Sequence, residues 1–406
     1  MSSPDDPLLL WCSSHDTLAS EEIPLFLEAG FRVVPLLTNY WTQQFDPTLN
    51  DSICPAWKAS VGLPEETVRG LQSLSFCQGE GRAPFAPAEL QLLTKHVDAV
   101  YVTVYPHVAV RLAAVFPRTV IFRAFGHGKL NTYSRICEYY GLSLDDANRQ
   151  ANYIWCPILS TLQEPEDDRL CRNPQHLRAF VSPDRLGPTR WSAEASEPFV
   201  VETIPRIESQ DYYREIHGRF VADHGHLPVK ILGGNSPGGG AIADPRIVGR
   251  LPGNDYFRTA ARARLSIYHG TSRYHVHYHP IEFMALGVPV LFHRDSAFAA
   301  EARSIGYGDD ALTEAGMYAD AGEANRIAEA ALADASRAAA IAEKQRFFVE
   351  RIFSRKDALE QAVWLRTLVV QRKNKRPSAG GDAPATTKKR RLFRSLRLFR
   401  KRSHRA

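Results

Sequence analysis

The stretch that decides the fold reads Arg264-Leu-Ser-Ile-Tyr-His-Gly-Thr-Ser-Arg-Tyr-His-Val-His-Tyr-His-Pro-Ile-Glu-Phe-Met-Ala-Leu-Gly-Val-Pro-Val-Leu-Phe292. It starts with a short apolar run, continues through a polar loop rich in histidine, and ends in a second apolar run. Proline suits the first positions of a helix and glycine the residue after its end. The pattern therefore predicts a strand, a loop, a helix that opens at Pro280, a glycine turn and a strand.

This loop and helix start predict an anion site. Backbone N–H groups at a helix start lack partners and carry partial positive charge, so a phosphate binds well there. We expect Glu282 in the first turn, where its carboxylate can accept hydrogen bonds from ribose hydroxyls. The alternative is that Glu282 only caps the helix and the loop is solvated. The basic loop residues are Arg273, His275, His277 and His279.

Residues 280–290 read Pro280-Ile-Glu282-Phe-Met-Ala285-Leu-Gly287-Val-Pro289-Val290 and resemble the C-terminal donor-binding motif of GT-B glycosyltransferases, of the group 1 and 4 type. The resemblance implies that Glu282 holds the ribose of a nucleotide-sugar donor. Retaining members carry a second glutamate eight positions earlier, where this chain has Tyr274. Whether transfer retains or inverts the anomeric configuration therefore stays open.

The alternating histidines also suggest a zinc site, because alternate residues of a strand face one way. Apart from Glu282, no nearby cysteine or acid completes it. We therefore predict no metal and no cofactor, with the nucleotide sugar acting as the donor substrate. The pair His279-Pro280 also resembles one in bacterial transferases that use cytidine-monophosphate sugars, so the base stays undecided.

The chain has 406 residues, 44% of them hydrophobic, which favours two domains and a tail. Short apolar runs alternate with helical stretches, as in parallel sheets covered on both faces. We predict an α/β protein with two Rossmann-like domains facing a cleft, as the GT-B resemblance implies. The predicted strands span 8–12, 32–37, 99–104, 119–123 and 153–156, then 199–202, 229–232, 247–249, 265–268 and 288–292.

The predicted domains follow from these runs. Residues 1–185 form the acceptor-side domain, and residues 197–355 form the nucleotide-sugar-binding domain. Residues 356–370 form a helix that, as in GT-B proteins, returns to the first domain. Residues 371–406 form a flexible linker and a basic tail.

Other strand ends carry donor-site candidates. The glycine-rich loop that begins with Gly233 and Gly234 follows a strand and lets backbone amides approach a phosphate, and Lys230 precedes it. Arg206 follows another predicted strand and suits a diphosphate. A plain flexible turn and ordinary surface charge are the alternatives.

Sugar transfer needs a base for the acceptor hydroxyl. His15, followed by Asp16, lies after the first predicted strand, where plant-type inverting GT-B enzymes place a catalytic histidine. His127 follows another predicted strand, between two glycines, and is the second candidate. A structural role at the start of the next helix is the alternative for His15.

The six cysteines are scattered without Cys-x-x-Cys spacing, which favours free thiols in a reducing compartment. The N-terminus lacks the pattern of a secretory signal, and no apolar run approaches the roughly 20 residues that span a bilayer. We therefore expect a cytoplasmic protein.

The tail differs in charge from the body. Residues 371–406 contain fourteen Lys or Arg and one acid, whereas the first 370 residues carry a net charge of −8. Within 388–402, Leu392, Phe393, Leu396 and Phe399 share one helical face. This favours binding to an anionic surface on the inner face of the cell membrane, with nucleic acid as the less favoured partner.

Together these features predict a glycosyltransferase that moves a sugar from a nucleotide sugar to a glycan or lipid-linked acceptor, in surface polysaccharide or glycoconjugate assembly. One alternative is an inactive GT-B-like scaffold recruited by its basic tail. Another is a nucleotide-sugar epimerase of the same fold.

Overall fold

The computed structural model describes residues 5–13, 15–37, 55–77, 85–103, 105–127, 132–145, 150–235 and 242–374. They contain two β-sheets in which every strand pair is parallel. The first sheet has the order β2-β1-β3-β4-β5, and the second has the order β11-β10-β9-β6-β7-β8. The predicted fold class, α/β with two parallel sheets, is confirmed.

The strands coincide closely with the predicted apolar runs, and β1 is buried along its whole length. The first sheet comprises β1 Leu8–Ser13, β2 Arg32–Leu37, β3 Ala99–Thr103, β4 Thr119–Ala124 and β5 Tyr153–Pro157. The second comprises β6 Glu197–Thr203, β7 Val229–Leu232, β8 Ile247–Gly249, β9 Ala263–Ile267, β10 Val290–His293 and β11 Met317–Tyr318. Burial on both faces explains why most residues of these strands are apolar.

Helices connect the strands. They span Asp16–Glu28, Trp57–Val61, Glu65–Gln72, Pro87–His96, Pro106–Val115, Tyr133–Tyr139, Pro183–Leu186, Asp211–His224, Gly253–Arg262, Tyr278–Leu286, Ala297–Ser304, Asp309–Glu314, Ala321–Ala333, Ala335–Phe347 and Arg355–Asn374. Short 3₁₀ turns span Ser75–Cys77 and Ser160–Gln163, and a π-helical turn spans Phe348–Ile352. The alanine-rich stretch 321–347 is divided at Asp334, whose side chain caps the second of its two helices.

Segments that follow the carboxyl ends of strands in the two sheets contact each other. The Ser160 backbone N–H and hydroxyl donate to Glu301 at 3.0 and 2.8 Å, and the Thr161 hydroxyl donates to the Arg273 carbonyl at 3.0 Å. The last helix, Arg355–Asn374, packs on the first sheet's side of the molecule, where Arg366 lies 2.6 Å from Asp6. Among the described residues no helix combines the length and apolarity needed to cross a membrane.

Candidate active site

The carboxyl ends of β6 and β7 bring Arg206 and the glycine loop together. The Arg206 backbone N–H donates to the Gly233 carbonyl at 3.3 Å. Arg206 has a φ of 58°, which is uncommon for a residue with a side chain and is found at functional sites. Gly233 has a φ of +91°, and a Cβ there would lie 3.3 Å from Pro205, while one on Gly234 would lie 3.1 Å from Ile207. The loop therefore needs its glycines to pack this closely.

The helix predicted to open at Pro280 begins two residues earlier, at Tyr278, with His277 as its N-cap. Proline is tolerated at the third position because the first N–H groups of a helix have no acceptor within it. Glu282 consequently lies in the second turn and not the first. Gly287 ends the helix with a φ of 94°, as a left-handed C-cap.

The buried carboxylate of Glu282 is held by an arginine that lies outside the sequence motif. Glu282 lies 2.6 Å from Nη2 of Arg185, and Nη1 of Arg185 lies 3.1 Å from Glu21, which is also buried. Burial alone would lower the pKa of Arg185, but the two carboxylates raise it above its usual value. Arg185 is thus a charged link between helix Asp16–Glu28 and helix Tyr278–Leu286.

His15 caps the helix that follows β1. Its Nδ1 accepts a hydrogen bond from the Leu18 backbone N–H at 3.3 Å, which places the proton of the neutral ring on Nε2. Burial lowers the pKa of His15, and the charges of Arg206 and Arg185 lower it further. Asp16 is the first residue of the helix. Burial raises its pKa, and the charges of Arg250 and Arg206 oppose that rise. Both predicted residues therefore lie near the arginines of the second sheet.

His127 lies where loops of the two sheets meet. Its backbone N–H donates to Tyr274 at 2.8 Å, and its carbonyl accepts a hydrogen bond from Nδ1 of His275 at 3.1 Å. Nε2 of His127 lies 2.5 Å from the buried carboxylate of Glu166, which also accepts backbone hydrogen bonds at the start of helix Tyr133–Tyr139. No sequence motif indicates Glu166, because its partners come together only in the fold.

A buried carboxylate on β6, that of Glu202, joins two histidines. Its Oε1 accepts hydrogen bonds from Nδ1 of His269 at 2.6 Å and Nε2 of His279 at 2.8 Å, and Ser266 donates to Oε2 at 3.2 Å. Burial alone would raise the pKa of Glu202, but the two histidines outweigh it and lower the pKa from 4.5 to about 2. We did not predict Glu202 or His269. The sequence signal that could have identified Glu202 is that it is a charged residue inside an otherwise apolar strand.

The atoms of Glu202, His269 and His279 lie within 4.8 Å of one another, as potential metal ligands do. Their nitrogen-to-oxygen distances of 2.6 and 2.8 Å are those of hydrogen bonds. Ligand atoms around tetrahedral zinc lie about 3.3 Å apart, given metal–ligand bonds of about 2 Å. The geometry therefore fits a hydrogen-bonded triad better than a zinc site.

Two residues predicted to contact phosphate, Arg273 and Lys230, have partners within the protein. Arg273 pairs with Glu164 of the first sheet's loops at 2.9 Å, with both side chains about half exposed. Lys230 lies 3.8 Å over the ring of Phe199 and 3.9 Å from Glu197, near the amino end of β6. Because the side chain of Lys230 leans away from the carboxyl edge, its position does not support the predicted phosphate contact.

Two adjoining cavities of about 170 and 130 Å³ lie against helix Asp211–His224. Both are lined by Arg219, His269 and Thr271, and the smaller one also by His275 and His277. The histidine-rich loop therefore borders open space within the second sheet's carboxyl edge.

No protein-family model matches the chain, and no curated protein matches its sequence. Several solved structures do match. A glycosyltransferase from Rickettsia africae is 10% identical, with a TM-score of 0.55 over 90% of this chain and 99% of that one. Sucrose-phosphate synthase from Thermosynechococcus elongatus is 14% identical, with a TM-score of 0.56 over 90% and 99%. HepE from Anabaena, solved with UDP, is 13% identical, with a TM-score of 0.52 over 89% and 100%. At these low identities the matches establish the fold alone. The chain has the GT-B fold of glycosyltransferases.

Proposed function

We propose that the protein is a glycosyltransferase that moves a sugar from a nucleotide-sugar donor to a glycan or lipid-linked acceptor, in surface polysaccharide or glycoconjugate assembly. The observation that carries the proposal is the buried Glu282 carboxylate on helix Tyr278–Leu286, whose N-terminus lies at the carboxyl edge of the second sheet. Ligands of parallel α/β sheets bind at that edge. HepE, which shares the fold, was solved with UDP and with UDP-glucose, and this supports a nucleotide sugar as donor.

In this proposal Glu282 accepts hydrogen bonds from the ribose, and Arg185 orients its carboxylate. Arg206, the backbone amides of Gly233 and Gly234, and the helix N-terminus bind the diphosphate. These charges and dipoles stabilise the leaving group without a metal. The nucleotide sugar is a substrate, and no cofactor takes part.

The two predicted catalytic histidines take different roles. Nε2 of His127 lies 2.5 Å from the Glu166 carboxylate, and we assign His127 as the base for the acceptor hydroxyl, acting through Nδ1. The Nδ1 lone pair of His15 already accepts a hydrogen bond from the Leu18 backbone N–H. Its Nε2–H can therefore donate a hydrogen bond to a substrate oxygen but cannot accept a proton. Asp16 contributes charge near Arg206.

A membrane-held acceptor would explain the basic tail, which lies outside the described residues. We propose that residues 388–402 place the enzyme on an anionic inner membrane face. The inactive scaffold would bind through the same tail without transferring sugar, and an epimerase would act on a nucleotide sugar without an acceptor.

The test is thermal stabilisation of the full chain by uridine, guanosine, thymidine, adenosine and cytidine diphosphates. Because Glu282→Ala removes one of the two carboxylates that pair with Arg185 and can destabilise the fold, Glu282→Gln accompanies it. We expect one nucleotide to raise the melting temperature of the wild type, and both variants to lose that rise. Glu329→Ala, an exposed carboxylate on another helix, serves as control and keeps the rise. No shift with any nucleotide would contradict the proposal.

A further inference from the structure

Two buried histidine nitrogens lie beside the proposed donor site without a hydrogen-bond partner among the described residues. They are Nε2 of His269 and Nε2 of His277, and both side chains line the cavity of about 130 Å³. The two ring centres are 4.8 Å apart, so the two side chains are close enough to contact one small group. Buried polar atoms normally have partners, so this pair indicates a ligand or a water.

The proton of His269 is placed by Glu202. Nδ1 of His269 lies 2.6 Å from the Glu202 carboxylate, which has no proton to give, so Nδ1 carries the hydrogen. Burial lowers the pKa of His269, so the ring is neutral near pH 7. Nε2 of His269 is therefore a hydrogen-bond acceptor.

The proton of His277 is placed by Tyr268. The phenol oxygen of Tyr268 accepts a hydrogen bond from the His277 backbone N–H at 3.3 Å and lies 3.0 Å from Nδ1 of the same residue. Burial raises the pKa of Tyr268, so the phenol keeps its hydrogen, and we assign that hydrogen to the bond with Nδ1 of His277. Burial also lowers the pKa of His277 well below its usual value. The neutral ring then carries its hydrogen on Nε2, which is a donor.

We propose that His269 and His277 form a binding site for one hydroxyl group of the transferred sugar, an inference that rests on the proposed function. A hydroxyl donates to Nε2 of His269 and accepts from Nε2–H of His277 at the same time. An anion would meet the lone pair of His269, and a cation would meet the N–H of His277, so neither fits both. Glu202 and Tyr268 are positioning residues that set the two tautomers. A donor sugar lacking this hydroxyl leaves both nitrogens unpaired, which a site of this kind discriminates against strongly.

The tautomers test the inference without any substrate. Long-range ¹⁵N–¹H spectra of the full chain labelled with ¹⁵N-histidine should show His269 protonated at Nδ1 and His277 at Nε2. Signals are assigned by their loss in His269→Gln and His277→Gln. The half-exposed His226 is the internal reference. The same tautomer in both residues, or a charged ring in either at pH 7, would overturn the proposal.

Binding provides the second test. Calorimetry on the full chain compares UDP with UDP-glucose and UDP-galactose, and GDP with GDP-mannose. We expect Tyr268→Phe to reduce the affinity gained from the sugar by roughly three- to tenfold, the worth of one hydrogen bond, and to leave the diphosphate affinity unchanged. The exposed Tyr139→Phe should change neither. An unchanged sugar contribution in Tyr268→Phe overturns the inference. Absence of all nucleotide binding contradicts the proposed function instead, and the tautomers still decide this site.

Discussion

Replacing Arg185 with leucine tests whether this residue orients the Glu282 carboxylate. The guanidinium lies 2.6 Å from Glu282 and 3.1 Å from Glu21, and its side chain is 26% exposed. A hydrogen bond to a charged group contributes about 1.5–3 kcal/mol to stability. Because Arg185 is partly exposed, each of its two contacts should contribute an amount at the lower end of that range. We expect the variant to lose about 3 kcal/mol. At about 2–4 °C per kcal/mol for large domains, the melting temperature should fall by roughly 6–12 °C.

The same variant should bind the nucleotide about tenfold more weakly, since Glu282 loses the group that orients it, a loss of about 1.4 kcal/mol. The stability deficit should shrink at acidic pH. Burial raises the pKa of Glu21, and Arg185 opposes that rise. Without Arg185 the Glu21 carboxyl therefore becomes protonated at a higher pH, and the neutral carboxyl no longer needs a cation beside it. Arg190→Leu is the control, because Arg190 is exposed and donates only to nearby carbonyls of Gly187 and Thr189. Calorimetry and thermal melts that cannot distinguish Arg185→Leu from the control would refute the reasoning.

Three further predictions follow from the site and the tail. Because the pKa of Glu202 is lowered from 4.5 to about 2, its stabilisation is present above pH 4.5 and is lost as the pH falls towards 2. Urea unfolding should therefore separate Glu202→Gln from the wild type by about 2–3 kcal/mol at pH 6 and not at pH 2, and an equal gap at both would contradict this. Dialysis against EDTA should change neither the melting temperature nor sugar transfer, whereas a loss restored by zinc would show that the Glu202 triad holds a metal. Removing residues 375–406 should abolish co-sedimentation with vesicles containing anionic lipid and leave the melting temperature within about 1 °C, and retained binding would exclude the tail as the anchor.

The local pattern of apolar residues was sufficient to predict most of the fold. Runs such as Leu8–Ser13 and Ala99–Thr103 are largely apolar because both faces of a parallel sheet are covered, and this signal needs no knowledge of distant residues. The short β11 was missed because two residues carry too little pattern. The start of helix Tyr278–Leu286 was misplaced by two residues, because proline is allowed anywhere in the first turn and so does not mark its first residue.

The candidate site was only partly accessible to sequence. Glu282 and Arg206 carry signals in their own neighbourhood, a helix motif and a strand end. Lys230 had the same kind of signal, yet its flexible side chain lies over Phe199, away from the carboxyl edge. Side-chain direction depends on neighbours that strand spacing does not specify.

The sequence by itself determined that this chain forms two parallel α/β units and that a helix with Glu282 follows a basic loop. These are consequences of hydrophobic period and of backbone chemistry at helix ends. Only the tertiary structure decided which group each functional side chain meets, such as Arg185 with Glu282, Glu166 with His127, and Glu202 with His269. Those partners are distant along the chain, and their protonation and orientation follow from burial and from contacts that exist only once the sheets and loops have packed.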